Sequence, residues 1–431
     1  MILLFALACT ERPAPEPQDL TTPPGSTSAD PTTPWVVETE WVPGDTGPLP
    51  PPGLCTMDLQ CSQAIPDEPK VPCAFQVWDE HGGTHYDGYA GVELRGRSSL
   101  GFPKHQYAIE LWDDTGADAP TNLLGMGADA DWVVNGAYID RGMIRNKLGY
   151  DLFVSWGGTN WAAESASCTL TLNGQAQGIY FLTEKVKRDD DRLDLAEDPT
   201  LSGASFVVKL EDSGGIVDNT PVGYGTWRLV YPNPATAAQS EIDGVAGALL
   251  GWQGALLGPD PAAIFDHVDL ESAVDFVLLE ELVKNNDAYF LSIHLWRDAG
   301  GPIRFTPWDL DLSIGQPTYN DNVPPEGWVL SRPTMIARMR DDPAFQARLG
   351  ERWRELRATS LTDAALLARV DEHRADLGDV LYENYQIWDW STIYAYWGTL
   401  PIVSGPDQEY ANIRAWLPAR TAWIDANVDT W

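Results

Sequence analysis

The sequence is poor in positive charge. Its 431 residues carry 28 Lys and Arg against 63 Asp and Glu, a formal net charge of −35. General nucleic-acid binding needs a basic face to neutralise phosphates, so this balance argues against it. It argues equally against adsorption to anionic lipid. Long apolar runs are missing too. Beyond the first residues, no stretch approaches the roughly 20 apolar residues that a membrane span needs. Histidine is scarce, at six, and the five cysteines form no C-x-x-C pair, so a zinc site has little to build on. Apolar residues are not scarce. At 44% they can bury a sizeable core, and 19 Trp is a high count.

The chain opens on an address. Met1 to Ala8 is apolar and runs into Cys9, which looks like the end of a lipoprotein signal, although no basic residue precedes it. An ordinary secretion signal is the alternative. Residues 13–52 hold 12 of the 33 prolines, and Arg12 is the only basic residue before Lys70. Such a stretch reads as an extended tether. The expected division is therefore a signal at 1–9, a Pro/Thr-rich tether at 10–64, and a folded domain at 65–431. Localisation outside the cytoplasm follows, anchored through Cys9 or secreted. Cys55, Cys61, Cys73 and Cys168 then suggest one or two disulfides, with three pairings open.

Within the domain, 90–95 and 106–112 alternate as strands. Residues 143–153 have helical spacing. Two strands at 168–172 and 178–186 flank Asn173-Gly174, the pair that a primed turn demands. Strands are expected at 206–210 and 227–231. A helix over 269–285 has Asp269 as its N-cap. A second hairpin follows at 292–305, and then helices at 344–358, 363–381 and 409–426. Strands first and helices last indicate an α+β domain, with a β-rich N-terminal lobe and a helical C-terminal lobe.

Four segments could carry chemistry. Arg95-Gly96-Arg97-Ser98-Ser99-Leu100-Gly101-Phe102-Pro103-Lys104 is a small-residue loop whose N–H groups and Lys could cradle phosphate. It lacks Walker spacing, and a solvated turn is its bland alternative. In the 178–186 strand, alternation puts Glu184 on the face of Tyr180 and Leu182, where a carboxylate wants a cation; Lys104 and Arg95 are the candidates. Asp287 follows Asn285-Asn286 where a helix gives way to a loop, a place that also suits an ordinary C-terminal turn. Asp309 and Asp311 follow an apolar strand at i and i+2, so in an extended segment they share one face. Two hard oxygen ligands on one face suit Mg²⁺. A solvated acidic loop is the alternative. This order of parts matches that of protein kinases, whose signatures G-x-G-x-x-G, H-R-D and D-F-G are absent.

Arg95-Gly96-Arg97-Ser98-Ser99 with Pro103-Lys104, then Gly178 to Val186, Asn286-Asp287, Pro307 to Gly315, and Ile413 to Leu417 with Arg420 resemble, in order, the blocks of the CotH kinase family. The resemblance spans about residues 70–430. It implies an atypical protein-kinase-like fold and ATP- and Mg²⁺-dependent phosphoryl transfer to Ser or Thr of a secreted or cell-surface protein, with Mn²⁺ as an alternative metal. By that resemblance Lys104, with Arg95, Ser98 and Ser99, contacts phosphates, and Glu184 orients Lys104. Asp287 acts as base or as a second metal contact, and Asp309 with Asp311 holds the metal. Arg97 stands where the family commonly has Asn. Trp308, Trp296 and Tyr180 are candidate linings for the adenine. Two other readings compete. One is a surface scaffold or adhesion lipoprotein that keeps the fold without transfer. The other is a metal-dependent hydrolase, for which no nucleophile motif or His ligands exist.

Overall fold

The computed structural model describes residues 53–196, 205–316, 323–329, 333–389 and 403–431. The expected signal and Cys9 lie outside these residues, as does the tether up to residue 52.

Seven strands close a barrel in the order β1-β2-β3-β4-β7-β9-β8. They are β1 (Cys55–Cys61), β2 (Val71–Trp78), β3 (Thr84–Arg95), β4 (Gln106–Trp112), β7 (Asp131–Asn135), β8 (Ser165–Leu172) and β9 (Gln175–Glu184). The short β5 (Thr121–Asn122) and β6 (Ala128–Asp129) pair with each other. Alternate residues fill the barrel, among them Met57, Leu59, Phe75, Val77, Val92, Ile109, Trp132, Tyr180 and Leu182. The folded region therefore begins about ten residues before the expected boundary at 65. Cys55, Met57, Leu59 and Cys61 alternate inward in β1, directly after the Pro-rich stretch. β1 closes the barrel by running parallel to β8 with Cys55 opposite Cys168, and it runs antiparallel to β2 with Cys61 opposite Cys73. Those opposed residues form the two disulfides, Cys55–Cys168 and Cys61–Cys73. Asn173 and Gly174 turn β8 into β9 with φ of 49° and 74°, as a primed turn requires.

Helix α1 (Arg145–Ser155) lies between β7 and β8 in the chain. The C-terminal part is helical but has a sheet at its heart. β10 (Phe206–Glu211), β11 (Val217–Asp218), β12 (Thr226–Tyr231), β13 (Ile293–Arg297) and β14 (Arg304–Pro307) order as β11-β12-β10-β13-β14. The helices are α2 (Gln239–Leu257), α3 (Leu270–Val283), α4 (Thr334–Arg340), α5 (Pro343–Arg357), α6 (Asp363–Leu377), α7 (Val380–Ile387) and α8 (Pro406–Asn427). α3 is buried all round from Ser272 to Val283, so it is the central helix of this part. Its cap is the expected one, with Asp269 accepting from the Ser272 N–H at 3.0 Å. The single helix expected over 363–381 is two. Gly378, at φ 50°, ends α6, and α7 turns back to lie against β9. The tryptophans find their use in packing. Trp132, Trp227, Trp252 and Trp353 are fully buried, and the indole N–H groups of Trp227 and Trp353 donate to Asn219 and Asp425.

Candidate active site

β14 ends at Pro307, and the acidic segment beyond it is not a strand. Asp309 takes a left-handed backbone, φ 61°, so the expected extended pairing of Asp309 and Asp311 does not occur. The segment is instead sewn to two helices. The Asn286 N–H donates to the Leu312 carbonyl at 2.9 Å, and the Ile314 N–H to the Val283 carbonyl at 2.7 Å, which ties it to the C-terminal end of α3. The Asp309 N–H donates to Tyr150 Oη on α1 at 3.0 Å. Among the described residues, nine non-glycine residues have positive φ. Five of them, Lys284, Tyr289, Ser292, Asp309 and Ile314, fall in this stretch. Such strain persists only where the surroundings over-determine the backbone, as they do here.

This stitching brings Asp287, Asp309 and Asp311 together, each partly open to solvent. Asp309 is raised to about 6, first by burial and then by Asp287, against the pull of Arg95. Asp311 is raised well above the usual range, first by burial and then by Asp309, Asp140 and Asp287, against the pull of Arg145. Arg95, at the end of β3, is the cation that faces Asp309; its guanidinium also stands 5.8 Å from the Trp308 ring. Ser292 Oγ donates to Asp309 Oδ2 at 3.5 Å. Asn286 is 5% exposed, yet neither atom of its amide has a hydrogen-bond partner among the described residues. Below this floor, Asp140 caps α1 by accepting from the Ile144 and Arg145 N–H groups at 2.7 Å, and it pairs with the Arg145 side chain at 2.5 Å.

Crowded carboxylates beside an unsatisfied buried amide are a donor set that fits a hard cation. Among the described residues, no group of three or more His, Cys, Asp or Glu forms a ready-made metal cage. The fit is therefore to an ion that takes one or two carboxylates and completes its shell with water and phosphate oxygens, as Mg²⁺ does.

Lys104 and Glu184 do not meet. Lys104 is buried, and its Nζ donates to the Ile179 carbonyl at 2.5 Å and to Asn384 Oδ1 on α7 at 2.9 Å. It also sits 4.7 Å from the Tyr180 ring. With no carboxylate beside it, burial drives its pKa well below the usual lysine value. Glu184 is five residues further along β9, or about 16 Å at ~3.3 Å per residue. Its neighbour is Arg192, at 3.8 Å, and it accepts from the Glu164 N–H at 2.9 Å. The strand alternation placed Glu184 on the correct face, but the face turns into the barrel, and the cation there is neither Lys104 nor Arg95. Tyr180 is likewise sealed inside the barrel and lines no open cleft.

The 96–101 loop continues directly from Arg95. Gly96, at φ 122°, permits its tight turn, since a Cβ there would stand 1.8 Å from Ser99 Oγ. Ser98 and Ser99 start a short 3₁₀ turn, and Arg97 pairs with Asp212 beyond β10. Sequence reading missed Asn146 and Tyr150 on α1, because only the apolar stripe of that helix drew notice.

The fold and site define a mixed α+β protein, β-rich at its N-terminal end and mostly helical at its C-terminal end, with an aspartate and arginine cluster between a barrel and a buried helix. The family model described as CotH kinase protein matches residues 92–214 and 261–424, well over half of the chain. The chain belongs to that family. No curated protein matches it.

Proposed function

We propose that the protein is an ATP-dependent phosphotransferase of atypical protein-kinase type, acting on Ser or Thr of a secreted or cell-surface protein. The observation that carries this reading is the convergence of Asp287, Asp309, Asp311 and Arg95 in a chain of the CotH family. The β-barrel part and the helical part are read as counterparts of the two kinase lobes. Asp309 and Asp311, with the Asn286 amide, would hold Mg²⁺ or Mn²⁺, which when bound supplies charge neutralisation to the phosphates.

The chain's own residues do the rest. Arg95 pairs with phosphate oxygens, taking the part that the family resemblance gives to Lys104. Asp287 accepts the proton of the acceptor hydroxyl as its oxygen bonds to the γ-phosphorus. The bond to the bridging oxygen breaks, and ADP leaves with the electron pair. The N–H groups of the 96–101 loop, with Ser98 and Ser99, flank the phosphates beside Arg95. Two disulfides support an oxidising compartment, consistent with a lipid anchor at Cys9.

A second reading, a scaffold without transfer, draws on one observation: Lys104 is occupied by α7 and Glu184 by Arg192. Transfer of labelled γ-phosphate to surface proteins of the source cell separates the two. The wild type should transfer label, and Asp287→Asn or Asp309→Ala should lower the rate by about 10²-fold or more. A wild type as inert as both variants, with authentic partner present, favours the scaffold.

A further inference from the structure

We infer that one face of α1, made by Asn146, Gly149 and Tyr150, is the positioning surface that sets Asp309 for cation binding. The inference rests on the metal-dependent reading above and names residues to which that reading gives no part.

Asp309 has to be held in its conformation. An aspartate at φ 61° is disfavoured by about 1 kcal/mol or more, and its neighbours must supply the compensation. Two consecutive peptide N–H groups, those of Asp309 and Leu310, point at α1. Tyr150 Oη accepts the first at 3.0 Å, and Asn146 Oδ1 accepts the second. Residues four apart share a helix face, so one helix presents both acceptors at the spacing of successive peptides. Gly149 lies between them on that face. A Cβ at Gly149 would stand 2.3 Å from Leu310 Cδ1, and Leu310 is fully buried, so glycine is what lets the acidic segment come within hydrogen-bond reach of the helix.

The same helix fixes the segment on both sides. The Tyr150 ring stacks on Trp308 with centroids 6.0 Å apart. Arg145 donates from Nε to the Ser313 carbonyl at 2.7 Å and from Nη2 to the Ile314 carbonyl at 3.2 Å. From Asp309 to Ile314 the backbone is therefore bonded by three α1 residues, Arg145, Asn146 and Tyr150, at positions i, i+1 and i+5. A segment pinned at this density keeps the Asp309 carboxylate aimed beside Asp287 despite their repulsion. Outer partners that fix a ligand in this way typically govern metal affinity by 10- to 100-fold.

The test is Mn²⁺ binding to the full chain in the presence of ATP, followed by the loss of the free-ion electron paramagnetic resonance signal beyond that caused by ATP alone. Tyr150→Phe keeps the ring on Trp308 and removes only the acceptor; it should weaken Mn²⁺ binding about tenfold. Gly149→Ala, which leaves both acceptors in place but pushes Leu310 outward, should weaken it by a similar factor. Far-ultraviolet circular dichroism should show both variants folded. Wild-type affinity in both folded variants overturns the inference and leaves the metal reading standing. A wild type that binds no Mn²⁺ with ATP overturns the metal reading, and the inference falls with it.

Discussion

Replacing Glu184 by Gln separates burial from ion pairing at the end of β9. The Glu184 carboxyl is 3% exposed, and burial, the largest influence on it, pushes it up to about 7 from an ordinary 4.5. The backbone N–H of Glu164 and the charge of Arg192 only partly offset that push. A carboxyl that titrates at about 7 when folded and 4.5 when unfolded makes the native state the tighter proton binder between those values. Stability therefore falls as pH rises from about 4.5 to about 7, and the full cost, about 3 kcal/mol, is present above pH 7. Gln keeps the shape and the acceptor for Glu164 but cannot ionise. Glu184→Gln should thus be more stable than the wild type at pH 8, by an amount approaching about 3 kcal/mol, and the gap should close by pH 4.5. Urea unfolding at the two pH values reads this directly. A variant less stable than the wild type at pH 8 would refute the reasoning, because Arg192, at 3.8 Å, would then outweigh desolvation.

Other consequences test the rest of the frame. Asn384→Leu strips the acceptor from both the Lys104 ammonium and the Ile179 N–H, in a spot only 2% exposed; chemical denaturation should show a loss of about 2–4 kcal/mol, and a loss below about 0.5 would mean the contact is idle. Gly178→Ala meets the same Asn384 oxygen at 2.5 Å from a left-handed position, so it should lower the unfolding midpoint even though alanine is ordinarily the smallest of changes. Of the two disulfides, Cys55–Cys168 spans 113 residues and Cys61–Cys73 spans 12. Removing the first pair as a double Cys→Ala variant should cost about 5 kcal/mol and the second about 3, and thermal unfolding ranks them.

Local signals in the sequence carried over well. Asn173-Gly174 marked its hairpin and Asp269 its helix cap, because both depend on residues within a few positions of each other. Errors came where distance along the chain decides. Lys104 looked like a phosphate ligand in want of a carboxylate, but its partner, Asn384, lies 280 residues away on a helix that sequence merged with its neighbour across Gly378. Alternation gave Glu184 its face without saying that the face turns inside a barrel. β1 alternates cleanly, yet the prolines before it drew the boundary too late. The acidic pair was misjudged in its backbone. Extended geometry was the simplest way for Asp309 and Asp311 to share a face. The actual way runs through Tyr150 and Asn146, more than 150 residues upstream.

The most direct test of the central claim is a calorimetric titration of ATP into the full chain, with and without Mg²⁺, for wild type and Asp309→Asn. The account predicts binding that requires Mg²⁺ and weakens about tenfold or more in the variant. ATP binding that ignores Mg²⁺, or that is equal in the two proteins, would contradict it.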